Sequence, residues 1–275
     1  MISQRDDAGE IEVPRSKMNR LLSSQGVTVS YETYGKGPPL VLVHGAFSDH
    51  DTNWEFVKPI LREQFTVHAV ARRGRGETAA TKGHSLTDEI LDVVEVIQQI
   101  GEPVFLLGHS YGAHCSLGAA ARVSALVRKL VLYEAAWPKV VSMEALACLE
   151  ELAANRQWDA FALAFFRDSL FVPAEELEAL RATELWRPII SDARASLGDL
   201  RALAVHEFSC ERFRDVTCPV LLQIGSTSPR QLYVTDALAG VLPNARIEVL
   251  AGQAHEAMTT APELYAQSVT RFLLD

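Results

Sequence analysis

Cysteine is scarce in this chain and its spacing is uninformative. The four copies, Cys115, Cys148, Cys210 and Cys218, form no C-x-x-C pair and no zinc-type spacing. A disulfide framework and a thiolate-held metal are therefore not expected, and the thiols read as reduced and mostly buried. No apolar run approaches ~18 residues, so no membrane-spanning helix is expected. The opening stretch, MISQRDDAGEIEVPRSK, mixes charges and has no apolar core of signal-peptide length, which makes the cytoplasm the expected location. Residues 1–17 are expected to be mobile, since polar termini without an apolar pattern rarely dock. Positive charge is also in deficit. Lys and Arg number 26 against 35 Asp and Glu, a net charge of −9. Nucleic acid and anionic membranes are set aside as partners on that ground. There is no P-loop, no dinucleotide fingerprint and no H-E-x-x-H, so neither a cofactor nor a metal is expected.

What is present is a globular composition with 48% hydrophobic residues across 275 positions, enough for one large α/β domain or two small ones. From about Gly26 the pattern becomes regular. VTVSYETYG alternates as a half-buried strand does, and LVLVHG, the apolar stretch before RRGRG, PVFLLG, KLVLYE and CPVLLQIG are runs suited to strands buried on both faces. Helical stretches separate them, among them SLTDEILDVVEVIQQIG, with Ser85 as N-cap and Gly101 as the C′ stop. Strand and helix in alternation predict a mostly parallel sheet flanked by helices. Residues 138–210 show helical periodicity without a strand. They read as a helical cap inserted after the strand ending at Glu134, dividing the core into 1–137 and 211–275. Such a cap covers the strand ends where open α/β sheets take ligands.

The chemistry concentrates in FLLGHSYGAHC, residues 105–115. Ser110 lies between Gly108 and Gly112, with a buried-strand pattern before it and small helix formers after it. A turn that tight lifts the hydroxyl above the sheet and tolerates no side chain on either flank. A serine hydroxyl needs a base to take its proton. Among eight histidines, His255 lies in the loop AGQAHEAM after the last strand pattern, where Gly252 lets the chain bend back over the sheet, and is a candidate. His109 is expected to point away from the site. The basic cluster RRGRGE, 72–77, is short and set in an acidic chain, and a ligand role is not expected of it.

With these blocks in order, LVLVHGAFSDHDTNW, VARRGRGET, GHSYG and AGQAH, the chain resembles the α/β-hydrolase fold family from about Gly26 to its end. The resemblance implies a Ser110 nucleophile, a His255 base and an oxyanion hole of two backbone N–H groups, those of Ala46 and Tyr111. The commonest family position for the acid, three residues past Gly225, holds Ser228. Glu134, a carboxylate after four apolar residues and at a strand end used by some branches, is favoured over Asp236 or a Ser–His dyad. A serine nucleophile turns the expectation from epoxide and haloalkane chemistry to acyl chemistry on an ester, lactone or thioester. The cap aromatics imply a medium-sized, apolar small-molecule substrate, with Phe47, Trp137, Trp158 and Phe165 expected at its pocket. Acyl transfer, a cofactor-free lyase or perhydrolase reaction, and a non-catalytic ligand-binding role remain open, as does monomer against homodimer.

Overall fold

The computed structural model describes residues 16–81, 83–172 and 174–275. Of the stretch expected to be mobile, residues 1–15 lie outside the described residues. Lys17 opens a strand instead. Eight strands make one sheet: β1 (Lys17–Leu22), β2 (Thr28–Gly35), β3 (Pro39–Val43), β4 (Thr66–Ala71), β5 (Val104–His109), β6 (Val127–Tyr133), β7 (Val220–Gly225) and β8 (Ala245–Leu250). Their order is β1-β2-β4-β3-β5-β6-β7-β8. The first two pairings, β1 with β2 and β2 with β4, are antiparallel and the rest are parallel. β3, β5 and β7 are buried along their whole length, as expected of apolar strands covered on both faces.

The helices are α1 (Lys58–Leu61), α2 (Leu86–Ile100), α3 (Tyr111–Arg122), α4 (Met143–Ala154), α5 (Trp158–Ala164), α6 (Ala174–Arg181), α7 (Trp186–Ala204), α8 (Thr235–Ala239), α9 (Ala257–Thr260) and α10 (Pro262–Leu274). One core layer packs α2, α3 and α8 on the sheet. The opposite layer gathers Trp54, Phe65, Tyr265 and Phe272 with α9 and α10. Ser85 caps α2 through a capping box with Asp88, and Gly101 ends it in the left-handed region at φ 79°, as the sequence implies. None of the helices among the described residues is long and apolar enough to cross a membrane.

Three elements differ from expectation. The helix anticipated over 158–170 splits into α5 and a five-residue π-helix over Phe165–Ser169. The wider turn brings the consecutive rings of Phe165 and Phe166 both onto Phe47, at 4.8 and 5.2 Å between centroids. α7 runs past Gly198 to Ala204, and that glycine sits where a Cβ would press on the His84 ring. The helix expected over 230–241 is a 3₁₀ turn (Arg230–Leu232) and then α8. The chain breaks between them so that Tyr233 bridges Ala136 and Val234 N–H bonds the Ala135 carbonyl. The helices α4–α7 and the π-helix form a hydrophobic cluster of their own, joined to the rest by Phe47. They occupy the chain between β6 and β7.

Candidate active site

Ser110 stands between β5 and α3 with φ 52° and ψ −118°, a conformation that costs a non-glycine residue about 1–3 kcal/mol. Crowding explains its glycine neighbours. A Cβ on Gly112 would overlap the carbonyl oxygens of Val43 and His44, and one on Gly108 would press on Gly112 O and Ser116 Oγ. The Ser110 N–H continues the sheet ladder to the Tyr133 carbonyl at 2.9 Å. Its side chain is half-buried and bonds no described residue.

Glu134 follows β6 with φ 48° and is 1% exposed. Its two oxygens have separate partners. Oε1 accepts from Gly225 N–H at 2.8 Å, and Oε2 lies 2.7 Å from His255 Nδ1. Burial opposes ionisation of Glu134, but the hydrogen bond and charge of His255, with help from Ser228 and Gly225 N–H, outweigh it and lower its pKa below 4.5. For His255 burial favours the neutral ring, yet the Glu134 hydrogen bond and charge prevail and raise its pKa above 6.5. Because Nδ1 is engaged, Nε2 is the nitrogen left for a substrate-side proton. Asp236 is not a competitor for this place. It is exposed on α8 and holds Arg230 at 2.5 and 2.7 Å.

Residues that sequence reasoning missed brace this pair. The Tyr233 ring stacks on His255 at 5.7 Å, its hydroxyl 3.3 Å from Nδ1. The His109 ring does not point away: it packs 4.7 Å from His255, with Nε2 3.1 Å from the His255 carbonyl oxygen. Its Nδ1 lies 3.0 Å from Asn53 Oδ1. Both neighbours are acceptors, so a neutral ring satisfies one at a time. Burial first, then the His255 charge, keep its pKa well below 6.5. A histidine beside the nucleophile was visible in the sequence. Its rotamer was not.

The N–H groups of Ala46 and Tyr111, the expected oxyanion donors, are taken by no described residue, and Tyr111 opens α3, where the helix dipole favours negative charge. A cavity of about 720 Å³ opens beside His255. Phe166, Leu170, Phe171, Val172 and Leu180 line one side, and Thr227–Pro229, Tyr233, Gln253, Ala254 and Glu256 the other. None of the four aromatics expected at the pocket is among its described lining residues. Phe47 and Phe165 stack on each other one layer behind Phe166. Trp158 lines a separate groove with Arg156, Arg194 and Arg201, and Trp137 meets Phe208 edge-on. Helical periodicity marks an apolar face but does not say which apolar residues pack and which are left over a cavity.

Two trios of potential metal ligands occur among the described residues, His109–His255–Glu256 and His84–Glu89–Asp199. In the second, Glu89 and Asp199 already hold Arg72, so a cation there would have to displace a buried guanidinium.

Residues 40–268 match the alpha/beta hydrolase family. A 2-(acetamidomethylene)succinate hydrolase of Mesorhizobium japonicum is 28% identical over 262 residues, 90% of this chain and 92% of that one. The crystal structure of an alpha/beta hydrolase from Sphaerobacter thermophilus is 29% identical, with a TM-score of 0.81 over 93% of this chain and 100% of that one. An esterase from Exiguobacterium antarcticum shares the fold at 21% identity, with a TM-score of 0.74 over 93% of this chain and 99% of that one.

Proposed function

The chain belongs to the alpha/beta hydrolase family, and from that premise we propose that it is a serine hydrolase cleaving an ester-type acyl bond. The observation that carries this reading is the 2.7 Å contact between His255 Nδ1 and Glu134 Oε2, which orients the ring and supports an imidazolium. In this mechanism Ser110 Oγ attacks the acyl carbon while its proton passes to His255 Nε2. The oxyanion is received by the N–H groups of Ala46 and Tyr111. His255 then gives the proton to the departing alcohol, lactone oxygen or thiol, leaving an acyl-serine. Water adds to that ester, its proton goes to His255, and a carboxylic acid leaves as Ser110 regains its hydrogen.

The substrate we assign is a neutral, medium-sized small molecule. A volume near 720 Å³ is in the range of small-molecule sites, and its wall of Phe166, Leu170, Phe171, Val172 and Leu180 is apolar. Its described lining includes the carboxylate of Glu256 and neither lysine nor arginine. A succinate, with two carboxylates, would meet that carboxylate without a cation to hold it, so the substrate in the relative's name is not carried over. Helices α4–α7 act as a cap in this reading, shaping selectivity from residues 138–210. All four cysteines are free thiols, which fits the cytoplasmic location expected from the sequence.

A fluorophosphonate probe tests the mechanism. The adduct is expected on Ser110 by peptide mass spectrometry, and Ser110→Ala is expected to lose ester turnover while keeping its melting temperature. An adduct on another residue, or full turnover in the folded Ser110→Ala protein, removes the proposal.

A further inference from the structure

The basic turn after β4, left as a structural element by the motif reading, contacts the peptide that carries one expected oxyanion donor and the side-chain ring of the residue that carries the other. Arg72 is 3% exposed, and every N–H of its guanidinium is engaged. Nε donates to the His44 carbonyl at 2.9 Å and Nη2 to the Gly45 carbonyl at 2.8 Å. The remaining donors hold Glu89 Oε1 at 3.0 Å and the two oxygens of Asp199 at 3.1 and 2.8 Å. The guanidinium also lies over the Tyr111 ring, 4.4 Å from its centroid.

The Gly45 carbonyl belongs to the same peptide unit as the Ala46 N–H. A planar trans peptide points its C=O and N–H in opposite directions, so a donor fixed on Gly45 O fixes where the Ala46 N–H aims. A cation on that oxygen also polarises the peptide and strengthens the opposite donor. The next peptide is held from the other side: Phe47 N–H, at φ 57°, donates to Ser196 Oγ on α7 at 2.7 Å. Arg75 ties the same serine at 3.1 Å and Asp199 at 2.9 and 2.6 Å. Asp199 and Ser196 are both fully buried.

We propose that Arg72, anchored by Asp199 and aided by Ser196 of α7, is a positioning residue of the oxyanion hole, sharing the Gly45 carbonyl with His44 Nδ1 at 2.8 Å and Ser48 Oγ at 3.3 Å, so that the inserted helices help build the catalytic machinery as well as the pocket. This rests on the serine-hydrolase reading. The linkage makes the hole's geometry depend in part on the docking of α7, because Asp199, one of the clamp's two anions, comes from that helix while Glu89 comes from α2.

Arg72→Lys tests it, since an ammonium keeps the charge facing Asp199 and Glu89 but has three donors and no fork. The expected result is a kcat lower by about tenfold to a hundredfold, part of the loss seen when a whole oxyanion donor is removed. KM should stay within about threefold, because the lost interaction belongs to the transition state. The rate of fluorophosphonate capture at Ser110, which passes through a similar oxyanion, should fall with kcat. Rates are normalised to active sites titrated to completion, so a smaller folded fraction does not imitate the effect. Ser196→Ala, a small deletion that keeps α7 helical, is expected to lower kcat several-fold at unchanged KM, and it decides the matter if Arg72→Lys does not fold. Wild-type kcat and capture rate in the folded Arg72→Lys protein, or in Ser196→Ala where Arg72→Lys does not fold, overturn the proposal while leaving the Ser110 reading intact. A wild-type protein that the probe does not label overturns the Ser110 reading, and this proposal with it.

Discussion

Replacing Glu134 by glutamine asks most directly whether the Glu134–His255 pair drives the chemistry. The two carboxylate oxygens serve Gly225 N–H and His255 Nδ1 at 2.8 and 2.7 Å. An amide offers one acceptor and one donor end. Gly225 N–H can only donate, so it draws the amide oxygen and turns the NH₂ end toward His255. Nδ1 must then accept, and the ring proton moves to Nε2, the nitrogen that has to take a proton from Ser110. Turning the amide over restores the tautomer but leaves Gly225 N–H facing a donor, which costs roughly 1–3 kcal/mol. In either orientation the imidazolium loses a charge-assisted partner worth about 1.5–3 kcal/mol. At ~1.4 kcal/mol per factor of ten, the combined loss in kcat is about 10²–10⁴. The assay is steady-state hydrolysis of p-nitrophenyl acetate, with the melting temperature of Glu134→Gln recorded beside it. Turnover within about threefold of wild type in the folded variant would refute the reasoning. Asp236→Asn is the counter-case: its exposed pairing with Arg230 is remote from the reaction, and turnover within about threefold of wild type is expected. A large loss there would move the acid to Asp236.

The pair also sets the pH profile. Glu134 raises the His255 pKa above 6.5 against the pull of burial. In the proposed mechanism the neutral ring is the base, so kcat/KM should be full above that raised value and fall as pH drops through it. Glu134→Gln should shift this acid limb to lower pH, and a limb that stays in place would show that another group titrates. In the cavity, Phe166→Ala should shift the preference between acetyl and octanoyl esters by about tenfold, in line with ~1–3 kcal/mol for altered apolar contact. Trp158→Ala, on a separate groove, should leave that ratio unchanged; the opposite ranking of the two variants would place the acyl site elsewhere.

The parts of the molecule that were legible in the sequence share a physical cause. β3, β5 and β7 are covered on both faces, so burial wrote continuous apolar runs that need no partner to be recognised. Ser110 was legible because backbone crowding admits only glycine at 108 and 112. Glu134 was legible as an ionisable group where the strand pattern wants an apolar one. What was not legible depends on distant partners or on one face of a helix. β1, KMNRLL, lies at the sheet edge with every residue at least partly exposed, so no face selects its pattern. The Arg72–Asp199 pair spans 127 positions, and nothing local distinguishes that arginine from a solvated one. Phe165 and Phe166 are neighbours of the same type, and only the π-turn decides that the second reaches the cavity.

Backbone strain links these observations. Phe47, Ser110 and Glu134 all have positive φ, at 57°, 52° and 48°, and they follow β3, β5 and β6, which are neighbours in the sheet. Each conformation costs about 1–3 kcal/mol and persists only where its surroundings over-determine it. For two of them the sheet itself does this. Ser110 N–H bonds the Tyr133 carbonyl of β6, and Glu134 N–H bonds the Gln223 carbonyl of β7, so each turn is pinned by the next strand along. Phe47 lies four residues beyond its strand, and its N–H is held by Ser196 of α7 instead. Ser110 and Glu134 are therefore pinned from neighbouring strands, whereas the Ala46–Phe47 turn leans on the inserted helices. Loosening α7 should release Phe47 and the Ala46 peptide before it disturbs the Glu134–His255 contact.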